Sequence, residues 1–266
     1  MVDDEGGFLK GGQPDKLLAG DFNGDGYGEV VKQVSLSDKI VLFLNDGNGG
    51  LAIKDLPDPR EKLADGAGLA DTEVADFNGD GNDDVITLWD TNQAAIFVKL
   101  GSASPSLRII DLEVSNSESN YSYVAAGSIE QNGVVDFVVA SDRKDDGGGQ
   151  SVAAEVAVYE NNGTGRTFSK YFHTKTTVDV QDLMLEDLSF DGYADLMVGP
   201  VFWRHSYNGG AYRDCGANPC RVSLQWDRAE AATQFIRAEV TDDDAPELVA
   251  IHDDFKFTVL RPYCPE

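Results

Sequence analysis

Cysteine and positive charge are scarce in this chain of 266 residues. Its 21 Lys and Arg stand against 47 Asp and Glu, a net charge of −26. An acidic excess of that size excludes nucleic acid and anionic membrane surfaces as partners held by simple electrostatics. No apolar run approaches the roughly 20 residues that cross a bilayer, so no membrane-inserted helix is expected. The opening Met1-Val2-Asp3-Asp4-Glu5 is too acidic for a secretion signal, and an exported form would carry its signal outside this sequence. With only three cysteines, no disulfide framework can carry the fold. Cys215 and Cys220 bracket Gly216-Ala217-Asn218-Pro219, a turn-forming segment that brings two sulfurs into bonding range. A zinc site would need further ligands, and His205 alone lies nearby. A Cys215–Cys220 disulfide is the better reading and implies an oxidising compartment. Cys264 is left over.

What the chain has in abundance is a nine-residue stretch. Asp21-Phe22-Asn23-Gly24-Asp25-Gly26-Tyr27-Gly28-Glu29 returns as Asp76-Phe77-Asn78-Gly79-Asp80-Gly81-Asn82-Asp83-Asp84, and again as Asp187-Leu188-Ser189-Phe190-Asp191-Gly192-Tyr193-Ala194-Asp195. Oxygen-bearing side chains fall at positions one, three, five and nine. Gly holds position six, where the chain turns sharply and a left-handed conformation costs Gly little. A hard cation such as calcium is wrapped by this kind of layout. A run of Asx turns favours the same residue types, but three copies favour calcium.

Two eroded copies share the spacing. Ser128, Glu130, Asn132 and Asp136 keep Gly133 with fewer charges, and no calcium is expected there. Glu239, Thr241, Asp243 and Glu247 keep four oxygens but put Asp244 at the turn beside Pro246, a weaker calcium candidate. First positions at 21, 76, 128, 187 and 239 lie 55, 52, 59 and 52 residues apart, so five repeats account for nearly the whole chain. Apolar and β-branched runs flank each loop at 16–20 and 29–34, 72–75 and 84–89, and 235–238 and 247–252. Further runs follow at 39–44, 51–56, 94–100, 107–112 and 256–261. Each loop is therefore expected to close a β-hairpin. The EF-hand and dockerin, which open alike, need flanking helices and an acid at position twelve, where this chain has Lys32, Thr87 and Val198.

The motif, its hairpin setting and its period resemble the FG-GAP or VCBS repeat family, whose units form the blades of β-propellers such as the integrin α-subunit head. The resemblance implies an all-β propeller of five four-stranded antiparallel blades forming one domain over 1–266. Residues 6–10 would supply the missing outer strand of the last blade and close the ring. It also implies Ca2+ on Asp21, Asn23, Asp25 and Glu29, on Asp76, Asn78, Asp80 and Asp84, and on Asp187, Ser189, Asp191 and Asp195. The carbonyls of Tyr27, Asn82 and Tyr193 would complete the three sets. A truncated longer propeller is the rival architecture. In the fourth repeat a strand is expected at 221–226, and the outer strand is in doubt.

Partners of this family dock on the face opposite the calcium hairpins, on loops joining strands two to three and four to one. Those loops are short at 35–38, 90–93 and 253–255, and Gly-rich at 141–151. The outlier is 202–220, which gathers Trp203, Arg204, His205, Tyr207, Tyr212 and Arg213 in a chain otherwise dominated by carboxylates. Aromatic and Arg residues gain contact area at low entropic cost. The functional expectation is a secreted or cell-surface, calcium-stabilised binding module recognising a glycan or an extracellular protein through that loop. The alternative is a polysaccharide lyase or hydrolase using the same loop, with His205 or Tyr207 as base. The binding module is favoured, since no nucleophile triad or paired-carboxylate signature stands out.

Overall fold

The computed structural model describes residues 16–34, 37–114, 120–129, 132–142, 144–145, 151–177, 180, 182–187, 193–199, 201–206, 211–214, 232–238, 247–252 and 257–260. They are strand and turn, apart from a short 3-10 turn at Pro59–Glu61. No helix among them is long and apolar enough to cross a membrane.

The strands form consecutive antiparallel meanders. The first sheet runs β1 (Lys16–Gly20), β2 (Glu29–Val34), β3 (Lys39–Asn45), β4 (Leu51–Asp55), and the second β5 (Leu69–Ala75), β6 (Asp84–Trp89), β7 (Gln93–Val98), β8 (Ser106–Asp111). In the third sheet β9 (Tyr121–Gly127) and β10 (Asp136–Ser141) come first. A two-stranded ribbon of β11 (Lys144–Asp145) and β12 (Ser151–Val152) intervenes before β13 (Ala154–Asn161) and β14 (Phe168–Thr176). The fourth sheet is β15 (Leu183–Glu186), β16 (Asp195–Val198), β17 (Val201–Ser206) and β18 (Ala211–Asp214). The last has three described strands, β19 (Ala232–Ala238), β20 (Glu247–His252) and β21 (Phe257–Leu260).

All five first hairpins close in the same register. The closing pairs are Gly20↔Glu29, Ala75↔Asp84, Gly127↔Asp136, Glu186↔Asp195 and Ala238↔Glu247. Position nine of every loop is therefore the first residue of the second strand. Strands covered on both faces lose the polar alternation; β6, Asp-Val-Ile-Thr-Leu-Trp, is buried at every residue.

Internal contacts divide the chain into two units, Met1–Asp76 with Asp80–Leu112, and Phe77–Gly79 with Glu113–Glu266. In the first, Val31 and Leu42 of one sheet and Phe22 of its first loop meet Val85, Trp89, Ala95 and Phe97 of the other. In the second, Val138, Ala140, Val156 and Val158 pack with Leu185, Leu196 and Val198. Phe77 meets Phe168 edge-on at 6.3 Å between ring centres, and Phe137 stacks on Tyr159 at 5.1 Å.

Several expectations need correction or fall outside the described residues. The described parts of the aromatic stretch 202–220 are strands, not a loop between strands two and three. Gly199, with φ 51°, opens a tight turn, and β17 and β18 are the third and fourth strands of their sheet, pairing Leu196↔Trp203 and His205↔Tyr212. Val, Phe, Trp and Tyr fit a pleated surface as well as a recognition surface, and here strand pairing claims them. Part of the Gly-rich 141–151 segment is the β11–β12 ribbon. The strand expected at 221–226 and the closing strand at 6–10 lie outside the described residues, and the five-bladed closed ring is not established.

The first strands of the third and fourth sheets, the inner strands of the propeller reading, approach so closely that a side chain is excluded at the end of β9. A Cβ on Gly127 would sit 2.1 Å from the Leu185 carbonyl oxygen, whereas one on Gly28 would meet nothing within 4 Å. Gly127→Ala should therefore lower stability by about 1–3 kcal/mol, read as an earlier urea midpoint, with Gly28→Ala within about 0.5 kcal/mol of the parent. Equal effects of the two would show that the inner strands are not in contact.

Candidate functional site

The first loop is wound by its own side chains. Asp21 accepts the amide of Gly24 at 2.7 Å on Oδ1 and that of Gly26 at 2.9 Å on Oδ2. Asn23 accepts from Asp25 at 2.8 Å, and Asp25 from Tyr27 at 2.9 Å. Gly26, Gly81 and Gly133, each at position six, have φ of 84°, 85° and 73°, the left-handed turn that Gly was expected to supply. The second loop repeats the winding, with Asp76 accepting from Gly81 at 2.8 Å and Asp80 from Asn82 at 3.0 Å.

Position nine carries the strongest chemical signal. Glu29, Asp84, Asp136 and Asp195 are all buried, and a buried carboxylate is costly unless its oxygens are partnered. In the third repeat Asp136 meets that need with protein alone: it takes the Ile129 amide at 2.8 Å and the Asn161 amide at 2.7 Å, one on each oxygen. Glu29 takes the equivalent Phe22 amide on Oε2 at 3.0 Å, but its Oε1 is buried with no hydrogen-bond partner. Burial pushes the Glu29 carboxyl above its usual range. The Phe22 amide and, more weakly, the Asn45 amide pull the other way, while Asp25 and Asp21 push it further up.

Among the described residues no three His, Cys, Asp or Glu side chains already converge on one point. The first loop nevertheless has the composition a hard cation needs. Each wound carboxylate keeps lone pairs beyond those its amides use, the Tyr27 carbonyl adds a neutral oxygen, and Glu29 Oε1 is an orphan acceptor. In the fourth repeat Asp187, Tyr193 and Asp195 are described, while Ser189 and Asp191 are not. In the fifth, Glu239, Thr241 and Asp243 lie outside the described residues, and Glu247 opens β20.

Contacts between neighbouring loops escaped the sequence reading. The Phe22 carbonyl accepts the Gly101 amide at 3.0 Å, and the Phe77 carbonyl accepts Asn161 Nδ2 at 2.7 Å. Asn161 also bonds the Val135 carbonyl at 2.9 Å, as Asn45 bonds that of Gly28 at 3.1 Å. Position eight of a loop is thereby tied to the turn between strands three and four of its own sheet. A signal was available: Asn45-Asp46-Gly47-Asn48-Gly49 matches Asn161-Asn162-Gly163-Thr164-Gly165. His173 sits 3.3 Å from the buried Glu155 carboxylate, with Lys175 3.6 Å away on the other oxygen.

At the other end of the first sheet, where strands two and three join, a cavity of about 260 Å³ opens. Ile40, Leu56, Pro59 and Phe97 give it apolar walls, and Lys39 and Asp55 stand among its polar lining. Arg60 grips Asp58 through Nε at 3.0 Å and Nη2 at 2.6 Å, and Asp38 accepts the Leu69 amide at 3.0 Å, so the wall is held in shape. The Arg60 hydrogen bonds hold the Asp58 carboxyl below its usual range.

Of the six aromatic and basic residues singled out in the sequence, the five that are described lie on strands and not in one loop. Trp203, Arg204 and His205 lie on β17 and Tyr212 and Arg213 on β18; Tyr207, Cys215 and Cys220 lie outside the described residues. By the order of the meander, the β17-to-β18 connection leaves the sheet at the end where the 187–195 loop does.

No curated protein matches the chain. Among solved structures, a complex of BBS1N with ARL6DN soaked with lead has 10% identity and a TM-score of 0.46, over 94% of this chain and 79% of that one. A Bacillus licheniformis rhamnogalacturonan lyase has 13% identity and a TM-score of 0.48, over 94% of this chain but 48% of its own. An Agrocybe aegerita lectin, described as recognising non-reducing terminal N-acetylglucosamine, has 14% identity and a TM-score of 0.39, over 93% and 80%. A family model does match, at the segment holding the two best-wound loops: residues 21–87 are similar to the FG-GAP-like repeat.

Proposed function

We propose that this chain is a calcium-stabilised, propeller-type binding module, secreted or displayed at a cell surface, that recognises a glycan or an extracellular protein at the sheet ends opposite its cation loops. The orphan Glu29 Oε1 carries the calcium part: it is a buried acceptor in a loop of carboxylates and carbonyls, and a hard cation is what such a set lacks. Asp21, Asn23, Asp25, the Tyr27 carbonyl and Glu29 would hold the ion in the first loop, with their counterparts in the second and fourth.

Calcium here is structural. Extracellular modules bind it with dissociation constants of about 10⁻⁴–10⁻³ M, so a tenfold excess adds about 1.4 kcal/mol per site. Three sites would contribute about 4 kcal/mol, a large share of a typical margin of about 5–15 kcal/mol. The recognition part rests on the cavity of the first sheet, which combines apolar walls with Lys39 and Asp55, a mixture suited to a small polar ligand or an anchoring side chain.

Chelation should lower the melting temperature by about 10 °C, measured by calorimetry in calcium and in chelator; identical traces would remove the metal from the account. Glu29→Gln should reverse the order, matching or exceeding the parent in chelator, where it relieves a buried charge, and falling below it in calcium.

For recognition, a glycan array and a pull-down of extracellular proteins should be run with the parent, a Lys39→Ala/Asp55→Ala pair and a Trp203→Ala/Tyr212→Ala pair. Loss of binding in the first pair alone supports the cavity, and loss in the second alone moves the site to β17 and β18. Turnover of a polysaccharide by the parent would make the protein an enzyme instead. In Arg60→Ala the Asp58 carboxyl should titrate nearer its usual pKa by NMR. In the parent, the stability from that pair is present above the usual carboxylate pKa and fades as pH falls through the lowered value.

A further inference from the structure

The first two loops touch. Asp83 occupies position eight of the second loop, between the Asn82 carbonyl and the Asp84 carboxylate, where it has no ligand role in its own loop. Its side chain points elsewhere: Oδ2 accepts the Asp21 amide at 2.8 Å, and the Asp83 amide donates to the Asp21 carbonyl at 2.9 Å. Residue one of the first loop is thus held at two points by the second. Beside it, Asn82 fills the space over Gly24, where a Cβ would lie 2.2 Å from Asn82 Oδ1. A Cβ on Gly20 would lie 2.7 Å from Asp83 Oδ2. Gly20 and Gly24 leave room for the second loop. Asn82 is in turn pinned by Asp80, whose Oδ1 accepts both its amide at 3.0 Å and its Nδ2 at 2.9 Å.

We infer that cation binding at the first two loops is coupled, and that Asp83 is the positioning residue that couples them. The inference rests on the calcium reading above. A cation in the second loop would gather Asp80, the Asn82 carbonyl and Asp84, and so set the segment that carries Asp83. Asp83 then presents Asp21 to the first site already in place. By reciprocity an ion in the first loop strengthens the second equally. The device belongs to this pair of loops: position eight is Gly28 in the first repeat and Val135 in the third, neither of which has a carboxylate to extend.

Terbium, an oxygen-seeking stand-in for calcium, gives a readout specific to the first loop. Tyr27 can sensitise its luminescence at position seven, where the second loop has Asn82. A Tyr193→Phe background silences the fourth loop, and Tyr27→Phe confirms the source of the signal. The midpoint of the Tyr27 signal should weaken at least about fivefold in Asp80→Ala, which removes a ligand of the other loop. It should weaken equally in Asp83→Ala, and no further when the two are combined. Asp83→Asn, whose amide oxygen can still accept the Asp21 amide, should restore the parent midpoint. An Asn variant as weak as the Ala variant would assign the effect to charge and overturn the clamp. Unchanged midpoints in Asp80→Ala and Asp83→Ala would overturn the coupling and leave the calcium reading standing. Absence of any saturable, chelator-reversible signal in the parent would overturn the calcium reading itself. If Asp83→Ala fails to fold, the exposed Asp80 arm decides alone.

Discussion

A carboxylate placed in the dry first step of each of the first four hairpins is the constraint on which the rest depends. Position nine lies opposite the last residue of the preceding strand in all five hairpins, and its carboxylates are buried in the first four repeats. There it accepts the amide of position two, as Glu29 does from Phe22 and Asp136 from Ile129, which folds the loop back over the strand ends. The rest of its bonding capacity must go somewhere. In the third repeat it goes to the Asn161 amide; in the first, the Asn45 amide acts on the Glu29 carboxyl only weakly and Oε1 has no hydrogen-bond partner.

In the third repeat the turn between strands three and four thus completes the bonding of the carboxylate. The same turns also join sheets, since the carbonyls of Phe22 and Phe77 receive donors from Gly101 and Asn161. Each of these Phe residues is also 1% exposed, so one position supplies an apolar anchor and a polar tie together.

The loops, the hairpins and the strands beside them were legible because their cause is local. Gly at position six, oxygens at odd positions and β-branched runs on both sides leave few other conformations. The stretch beginning at Phe202 was not legible. Its Trp, Tyr, Arg and His suit an exposed recognition loop and a strand equally well, and the tight turn at Gly199 sends the chain straight back as β17. Asp83 was hidden for another reason, since position eight has no role within its own loop.

By itself the sequence determined an all-β chain of repeated hairpins, the positions of its Asp- and Gly-rich loops and the register in which they close, because residues within nine positions of one another decide those things. Only tertiary structure decided which buried carboxylate is satisfied by protein and which is not, that Asp83 holds Asp21, and that the open cavity lies at the far end of the first sheet. Those depend on which amide or side chain from a distant strand reaches a given oxygen or wall, and that distance is fixed by packing between strands and sheets rather than by any local pattern.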